Sequence, residues 1–353
     1  MENRKKIALF TIWREKNYGA EMQAYATIKI LQELGHNVEM IDIRLSDFKH
    51  STKKKIKKII TFISPCRYKF EQFWKKNIPT TRRYESIIAL QKNPPISDVY
   101  IVGSDQVWNP EIMKQALPLA FLSFGNKDIK RISYASSFGS SNIENNPTLQ
   151  RLIITQLTTF RAISCREKSG VNFLQEKFNI TSANVLDPTL LFDNYSELIG
   201  LPTQKQTLVY YPLSPYKKLE SFSKSLSCKL GLKYVNTNKI CYLIGKFVWN
   251  RPSVEQWIRN IAESTLVVTP SFHGVAFSLI YKRNFIVVIK DEKRSSRITD
   301  LLSELDLLDR CFFDIEEVEK SRIWEKPINY LEVRKRLSIL RNHSLNYLKN
   351  SLR

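Results

Sequence analysis

The chain has 353 residues, of which 43% are hydrophobic and 25% charged, a composition that is typical of globular proteins and excludes disorder. Its 55 basic and 34 acidic residues give a net charge of +21, which favours an anionic partner such as nucleic acid, an anionic membrane or a phosphorylated substrate. Five scattered cysteines indicate reduced thiols, and four histidines without a zinc-binding pattern argue against a metal site.

Strands and helices alternate through the first half of the chain. In chain order we predict a strand over 6–12, a helix over 20–34, strands over 38–43, 99–102, 131–136 and 162–165, a helix over 167–177 and a strand over 183–186. Alternation of this kind is typical of a parallel sheet with helices on its faces.

The second half repeats this rhythm after a short polar linker at 201–206. In chain order we predict a strand over 207–211, a helix over 219–230, a strand over 233–236, a helix over 254–262, a strand over 266–268, a helix over 274–281, a strand over 285–289 and a helix over 298–305. The expected architecture is therefore α/β, with two Rossmann-like domains that face a cleft. These domains cover 1–200 and 201–325, and a C-terminal helix over 326–353 packs back on the body.

Much of the charge lies in residues 49–83, which hold twelve basic residues and one acidic residue. Isoleucines recur there at helical spacing, and Phe70, Phe73 and Trp74 follow. We predict a basic amphipathic helical insertion that contacts an anionic membrane. The lysines assigned to that contact are Lys54, Lys55, Lys57 and Lys58. The alternative is a solvated helix that packs on its own domain, and nucleic acid is not expected because no nucleic-acid-binding module is recognised.

Several signatures are missing. No apolar run approaches the ~18 residues of a membrane-spanning helix, and the basic N-terminus has no cleavage site of a signal peptide. No two glycines are separated by a single residue, so the dinucleotide and P-loop fingerprints are absent. The GxSxG motif of hydrolases is absent as well.

Polar residues follow the first and the third predicted strand. Asn17, Tyr18 and Gly19 open a helix whose N-terminal N–H groups attract anions, or they form only a capped turn. Asp105 and Gln106 are placed to bind sugar hydroxyls, with Asp105 as an acid or base, or they tie down their loop.

Three further positions are candidates in the same way. Arg166 is suited to a bidentate contact with a carboxylate or phosphate, unless Glu167 neutralises it in a structural pair. His273, with Ser271 beside it, projects beyond an apolar strand, where a catalytic role competes with a structural one. Arg297 stands near a helix start and either holds a second anion or lies in a solvated loop.

In their order and spacing these stretches resemble the polysaccharide pyruvyl transferase family. The matching residues are Asn17-Tyr18-Gly19-Ala20 with Gln23-Ala24-Tyr25, Gly103-Ser104-Asp105-Gln106-Val107-Trp108, Ser133-Tyr134-Ala135 with Ser137-Phe138-Gly139, Arg166-Glu167, Asp187-Pro188-Thr189-Leu190-Leu191, Ser271-Phe272-His273-Gly274 and Ser296-Arg297. The resemblance implies a two-domain fold like that of the GT-B glycosyltransferases. It also implies transfer of a pyruvyl group from phosphoenolpyruvate to two hydroxyls of a sugar, which forms a cyclic ketal and releases phosphate.

By motif, the resemblance makes His273 a catalytic residue and Arg166 a ligand of phosphoenolpyruvate. We assign Asp105 as a second catalytic residue. Substrate binding is assigned to Ser271, Gly274, Arg297, Asn17, Tyr18, Gly19 and Gln106. Many family members have an arginine where this chain has Ser271, so an anion contact must come from elsewhere, with Arg297 and Lys282 as candidates. We expect no metal and no cofactor, with phosphoenolpyruvate as the donor substrate.

The first domain is expected on the acceptor side and the second on the donor side. The expected acceptor is a sugar or lipid-linked oligosaccharide of surface-glycan synthesis, which places the protein in the cytoplasm at the inner face of the plasma membrane. Two alternatives stay open: a GT-B glycosyltransferase that uses a nucleotide sugar, and a non-catalytic binder of an anionic membrane or polymer.

Overall fold

The computed structural model of the chain describes residues 4–44, 65–139, 143, 146–243, 246–290 and 295–353. Lys54, Lys55, Lys57 and Lys58, which we assigned to a membrane surface, lie outside the described residues. The described residues form two compact units. The first takes its residues from Met1–Lys54, Trp74–Phe192 and Leu340–Arg353, and the second takes its residues from Lys55–Phe73 and Asp193–Ile339.

The first unit is built on a five-stranded parallel sheet. Its strands are β1 (Lys6–Phe10), β2 (Asn37–Asp42), β3 (Thr80–Arg83), β4 (Val99–Val102) and β5 (Lys130–Ser133), followed by a short parallel pair, β6 (Ser164–Cys165) and β7 (Ala183–Asn184). The order is β3-β2-β1-β4-β5, and Leu9 of β1 is paired with Met40 and Ile101. The strand order reverses between β1 and β4, which is where doubly wound sheets bind ligands.

The central strands of this sheet are covered on both faces, so they are apolar without alternation. The helices between the start of β1 and Asp193, where the longer segment of the second unit begins, are α1 (Tyr18–Glu33), α2 (Pro65–Asn77), α3 (Ile87–Lys92), α4 (Pro110–Met113), α5 (Leu117–Ala120), α6 (Pro147–Leu157), α7 (Lys168–Phe178) and α8 (Pro188–Leu191), with a 3-10 turn at Lys114–Ala116. The first of these helices ends at Glu33, and the chain turns away at Gly35, whose φ of +90° suits glycine.

The second unit holds another parallel sheet and one antiparallel hairpin. Its strands are β8 (Thr207–Tyr210), β9 (Lys233–Asn236), the hairpin strands β10 (Lys239–Leu243) and β11 (Lys246–Asn250), β12 (Leu266–Thr269), β13 (Asn284–Val288) and β14 (Cys311–Phe312). The sheet order is β14-β13-β12-β8-β9, so the switch point lies between β8 and β12. The two parallel sheets confirm the predicted α/β class with Rossmann-like topology.

The remaining helices complete the second unit and the C-terminus. They are α9 (Ser196–Ile199), α10 (Lys217–Lys229), α11 (Val254–Glu263), α12 (Phe272–Ile280), α13 (Ser296–Glu304), α14 (Ile315–Ser321) and α15 (Tyr330–Leu352), with 3-10 turns at Leu308–Arg310 and Ile323–Glu325. The C-terminal half of α15 belongs to the first unit and is hydrogen-bonded within it. Arg341 Nε donates to the Leu190 carbonyl at 2.7 Å, and the Tyr347 hydroxyl donates to the Ser133 carbonyl at 2.8 Å.

The aromatic residues of the basic region are buried, which corrects the prediction that they accompany a membrane-facing helix. Phe70, Phe73 and Trp74 lie on α2 and are 0%, 1% and 5% exposed. Side chains enclosed by protein cannot insert into a lipid surface, so these three aromatic residues do not support the membrane prediction. Among the described residues, no helix is both long enough and apolar enough to cross a membrane.

Candidate active site

Polar loops meet at the switch point of the first sheet. The chain leaves β1 through Thr11 and leaves β4 through Gly103 and Ser104. Thr11 Oγ1 donates to the Ser104 carbonyl at 2.8 Å, which ties the two loops together across the switch point. This hydrogen bond fixes the loop that presents Asp105.

Arg166 lies at the centre of a cluster of three carboxylates. It follows β6, and its Nη1 is 2.7 Å from Asp187 Oδ2, which comes shortly after β7. Its Nη2 is 3.5 Å from Asp105 Oδ1, and its Nε is 3.8 Å from Glu167 Oε2. Burial alone lowers the pKa of a guanidinium, but these carboxylates raise the pKa of Arg166 above its ordinary value. Arg166 is therefore fully charged.

Hydroxyl groups are further partners of Asp187 and Glu167. Ser104 Oγ donates to Asp187 Oδ2 at 2.9 Å, and Thr189 Oγ1 donates to Asp187 Oδ1 at 2.6 Å. Ser137 Oγ donates to Glu167 Oε1 at 2.5 Å. The loops that follow β4, β5, β6 and β7 are thus joined through one buried network of hydrogen bonds and ion pairs. Bonds in such a network strengthen one another.

The contacts of Arg166 include Glu167, the partner of the structural pair considered in the sequence analysis. The side chain of Arg166 is 2% exposed, and it lies among three acidic groups. A further anion at this guanidinium would be repelled by those carboxylates. We therefore interpret Arg166 as the residue that positions Asp105, and its expected contact with phosphoenolpyruvate stays an untested prediction. The prediction that Arg166 and His273 border one cleft also stays a prediction.

Asp105 and Gln106 lie at this edge of the sheet and are partly exposed to solvent. Asp105 has a φ of +69°, and its side chain is 16% exposed. Gln106 Oε1 accepts from Asn109 Nδ2 at 2.9 Å. A Cβ at Gly139 would lie 2.0 Å from Gln106 Oε1, so only glycine allows this packing. A partly exposed carboxylate held by Arg166 can accept a hydrogen bond from a hydroxyl group.

The turn before α1 forms as its sequence predicts. Asn17 is the N-cap, and its Oδ1 accepts from Gly19 N at 3.0 Å. Tyr18 and Gly19 are buried within the first turn. Gln23 Nε2 donates to the Ile12 carbonyl at 2.9 Å, which holds the preceding loop against the helix. The substrate-binding role of Asn17, Tyr18 and Gly19 stays a prediction.

Glu21 is a buried carboxyl group that the sequence analysis missed. It is 0% exposed in the first turn of α1. Its Oε2 accepts from Trp74 Nε1 at 2.5 Å and from Arg14 N at 3.4 Å. Burial raises the pKa of Glu21 to about 8, so it holds its proton at neutral pH. An acidic residue in the first turn of a helix is normally a surface residue that favours the helix dipole, and the sequence carries no signal that this one is buried.

In the second unit, Ser271, His273 and Gly274 lie together at the carboxyl end of β12. Ser271 is the N-cap of α12, and its Oγ accepts from Gly274 N at 3.4 Å. A Cβ at Gly274 would lie 2.6 Å from Thr269 Oγ1, so glycine is required for the close approach of α12 to β12. His273 is 8% exposed, and its ring meets that of Phe272 edge-on.

Tyr211, which sequence reasoning missed, lies beside Ser271 at this site. Tyr211 directly follows β8 on the other side of the switch point, and its hydroxyl is hydrogen-bonded to the Ser271 side chain. Burial raises the pKa of Tyr211, while the Ser271 hydrogen bond and the positive charge of Arg251 lower it by less. The phenol is therefore neutral at physiological pH and can donate a hydrogen bond. Only the pairing of β8 with β12 brings these residues together, so no local pattern in the sequence reveals them.

The two cations proposed to replace the family arginine are placed differently. Arg297 is half-buried on α13, after the carboxyl end of β13, and is thus at the same edge of the sheet as Ser271. Lys282 is exposed between α12 and the start of β13, at the opposite edge. Its position does not support Lys282 as an anion contact beside Ser271. Within the described part of the chain, no three His, Cys, Asp or Glu residues are arranged to hold a metal ion.

Comparison with known proteins decides the family. The family model for polysaccharide pyruvyl transferase matches residues 17–291, a range that includes Asp105, Arg166 and His273. The chain belongs to this family. A search of curated proteins finds no match to the chain.

Solved structures share the fold of this pyruvyl transferase family member at low sequence identity. S. aureus MnaA, solved with UDP, is 11% identical, with a TM-score of 0.51 over 93% of this chain and 90% of its own. The UDP-GlcNAc 2-epimerase from Neisseria meningitidis, solved with UDP-GlcNAc, is 10% identical, with a TM-score of 0.50 over 97% of this chain and 99% of its own. These likenesses support the GT-B-like fold that we predicted.

Proposed function

We propose that the protein transfers a pyruvyl group from phosphoenolpyruvate to two hydroxyls of one sugar in a surface-glycan precursor. The family match over residues 17–291 is the observation that carries this proposal. The position of His273 beside the switch point of the second sheet supports it, because ligands of doubly wound sheets bind there.

The proposed reaction has two additions at one carbon atom. The methylene carbon of phosphoenolpyruvate takes up a proton, and a sugar hydroxyl adds to the neighbouring carbon and gives up its own proton. The second hydroxyl then adds to the same carbon atom, the bond from that carbon to the phosphate oxygen breaks, and the proton of the second hydroxyl passes to the departing phosphate. The products are a cyclic ketal and inorganic phosphate, so atoms and charges balance without an oxidant or a further cofactor.

We assign the proton transfers to His273 and Asp105. His273 takes the proton of the attacking hydroxyl or protonates the departing phosphate, and such general acid–base catalysis contributes roughly 10²- to 10⁴-fold in rate. Asp105 accepts a hydrogen bond from the sugar, with Gln106 beside it, while Arg166 holds the Asp105 carboxylate in place. Asn17, Tyr18 and Gly19 are assigned to the substrate at the α1 N-terminus, and Arg297, Ser271 and Gly274 to the donor.

A nucleotide-sugar glycosyltransferase is the second candidate. The ligands of the two similar structures, UDP in one and UDP-GlcNAc in the other, favour it. A ligand that binds the folded state raises the melting temperature according to its concentration and affinity. Thermal shifts with phosphoenolpyruvate and with UDP-GlcNAc therefore separate the two reactions. Stabilisation by phosphoenolpyruvate, with phosphate release only when acceptor is added, supports pyruvyl transfer. Stabilisation by the nucleotide sugar alone would reject it.

We further propose that the protein works in the cytoplasm at the inner face of the plasma membrane, on a lipid-linked acceptor. The basic residues of 49–83, including Lys54, Lys55, Lys57 and Lys58, support this proposal. Each Lys or Arg near an anionic surface contributes about 1 kcal/mol to membrane binding. Co-sedimentation with anionic liposomes, but not neutral ones, and its loss at high salt are the expected results. Salt-sensitive binding without turnover on any acceptor would instead identify a non-catalytic binder.

A further inference from the structure

A second set of polar residues lies at the switch point of the second sheet, around Arg251. This residue follows the β10–β11 hairpin, in the segment that leads to α11. Arg251 Nε donates to Asn238 Oδ1 at 2.6 Å. Asn238 lies in the turn between β9 and β10, is 6% exposed, and donates through Nδ2 to the Pro212 carbonyl at 3.0 Å. A buried amide thus fixes the plane of the guanidinium through its Nε atom.

The guanidinium is close to the residues that surround α12. Its positive charge acts on the Tyr211 hydroxyl, which is hydrogen-bonded to the Ser271 side chain, and Ser271 caps α12. His273 is the second residue of that helix. Arg251, Tyr211 and Ser271 are therefore neighbours across the point where the strand order reverses, and His273 follows Ser271 by two residues in the first turn of α12.

A second cation adds to the positive charge here. Lys69 of α2 donates through Nζ to the Arg251 carbonyl at 3.0 Å. An oxyanion is the kind of ligand that all of these features favour: two cations, a neutral phenol and the positive end of the α12 dipole. Arg251 differs from Arg166 in its partners, because those of Arg166 include three carboxylates, whereas those of Arg251 include an amide and a phenol.

We propose that Arg251 binds an anionic group of the substrate, a phosphate or a carboxylate, beside His273. Asn238 is the positioning residue that orients its guanidinium, and Lys69 adds positive charge. The assignment of that anion to phosphoenolpyruvate rests on the proposed function, whereas the anion site itself does not. A planar guanidinium suits both groups of this substrate because it forms two parallel hydrogen bonds with either.

The test measures anion binding directly, by calorimetry with phosphoenolpyruvate and with inorganic phosphate. Arg251→Gln should weaken the binding of both by roughly 10- to 100-fold, the usual effect of losing hydrogen bonds to a charged group. Arg251→Lys keeps the positive charge but lacks the planar guanidinium that forms two parallel hydrogen bonds, so we expect an intermediate loss of anion affinity. Arg259→Gln, on α11 in the same unit and paired with Glu263, is the matched control and should bind both anions normally.

The outcomes separate the anion site from the reaction. Wild-type affinity in both Arg251 variants, or no binding of either anion to the wild-type protein, would overturn the site. Weakened binding in Arg251→Lys supports it even if Arg251→Gln does not fold. If the Arg251 variants lose anion affinity but the wild-type protein forms no ketal, the site stands and the proposed function fails. If ketal forms with an unchanged KM for phosphoenolpyruvate in both variants, the function stands and the site fails.

Discussion

Glu21 makes the stability of the protein depend on pH in an unusual direction. Its carboxyl group is buried, with hydrogen bonds from Trp74 Nε1 and Arg14 N, and burial raises its pKa from 4.5 to about 8. The folded state therefore keeps the proton between these two values, while the unfolded state has released it. Stability from this group is complete below pH 4.5, falls as pH rises towards 8, and is constant above that.

The size of the effect follows from the pKa change. One pKa unit corresponds to about 1.4 kcal/mol, so the shift from 4.5 to about 8 is worth on the order of 5 kcal/mol. A domain is commonly stable by about 5–15 kcal/mol, so one carboxyl group governs a large share of the total. Glu21→Gln keeps an oxygen that accepts from Trp74 but carries no charge at any pH, so the variant loses this pH dependence.

Urea unfolding followed by tryptophan fluorescence measures the difference at several pH values. The unfolding free energy of the wild-type protein relative to Glu21→Gln should fall steadily from pH 5 to pH 8. Glu33→Gln, an exposed position on the same helix, is the control and should follow the wild-type protein. A difference between wild type and Glu21→Gln that stays constant, or rises with pH, would show that Glu21 is ionised in the folded protein.

Three more changes test the remaining parts of the site. Arg166→Gln leaves buried carboxylates uncompensated, so we expect a loss of about 3–5 kcal/mol in urea unfolding; normal stability with weak phosphoenolpyruvate binding would instead make Arg166 a donor ligand. His273→Asn should lower phosphate release by roughly 10²-fold or more with an unchanged melting temperature, and near-normal turnover would remove His273 from the mechanism. Gly274→Ala brings a Cβ to 2.6 Å from Thr269 Oγ1 and should cost about 1–3 kcal/mol of stability, partly restored by adding Thr269→Ala; full stability of the single variant would show that the two elements can move apart.

The strands were predictable wherever both of their faces are buried. The strand at Val99–Val102 has the predicted bounds, because a short apolar run between polar turns has few alternatives. The edge strand at Thr80–Arg83 was missed because its residues are polar. The hairpin of β10 and β11 was missed too, and with it the position of Arg251 at the carboxyl edge of the sheet.

The partners within each site were less predictable than the loops that carry them. The sequence identified Arg166 because it follows a predicted strand. Its partners Asp187 and Ser104 lie 21 and 62 residues away in the chain, so their contacts with Arg166 arise only from the pairing of strands. The aromatic residues of the basic region were misread for a related reason. Helical spacing shows that Phe70 and Phe73 share an apolar face, but it does not show whether protein or lipid covers that face.

The most direct test of pyruvyl transfer is mass spectrometry of a panel of sugar-lipid acceptors after incubation with phosphoenolpyruvate in heavy water. We expect one acceptor to gain a single ketal-linked pyruvyl group, with one deuterium in its methyl group and one phosphate released per product. An acceptor that gains a sugar from UDP-GlcNAc and nothing from phosphoenolpyruvate would contradict the account.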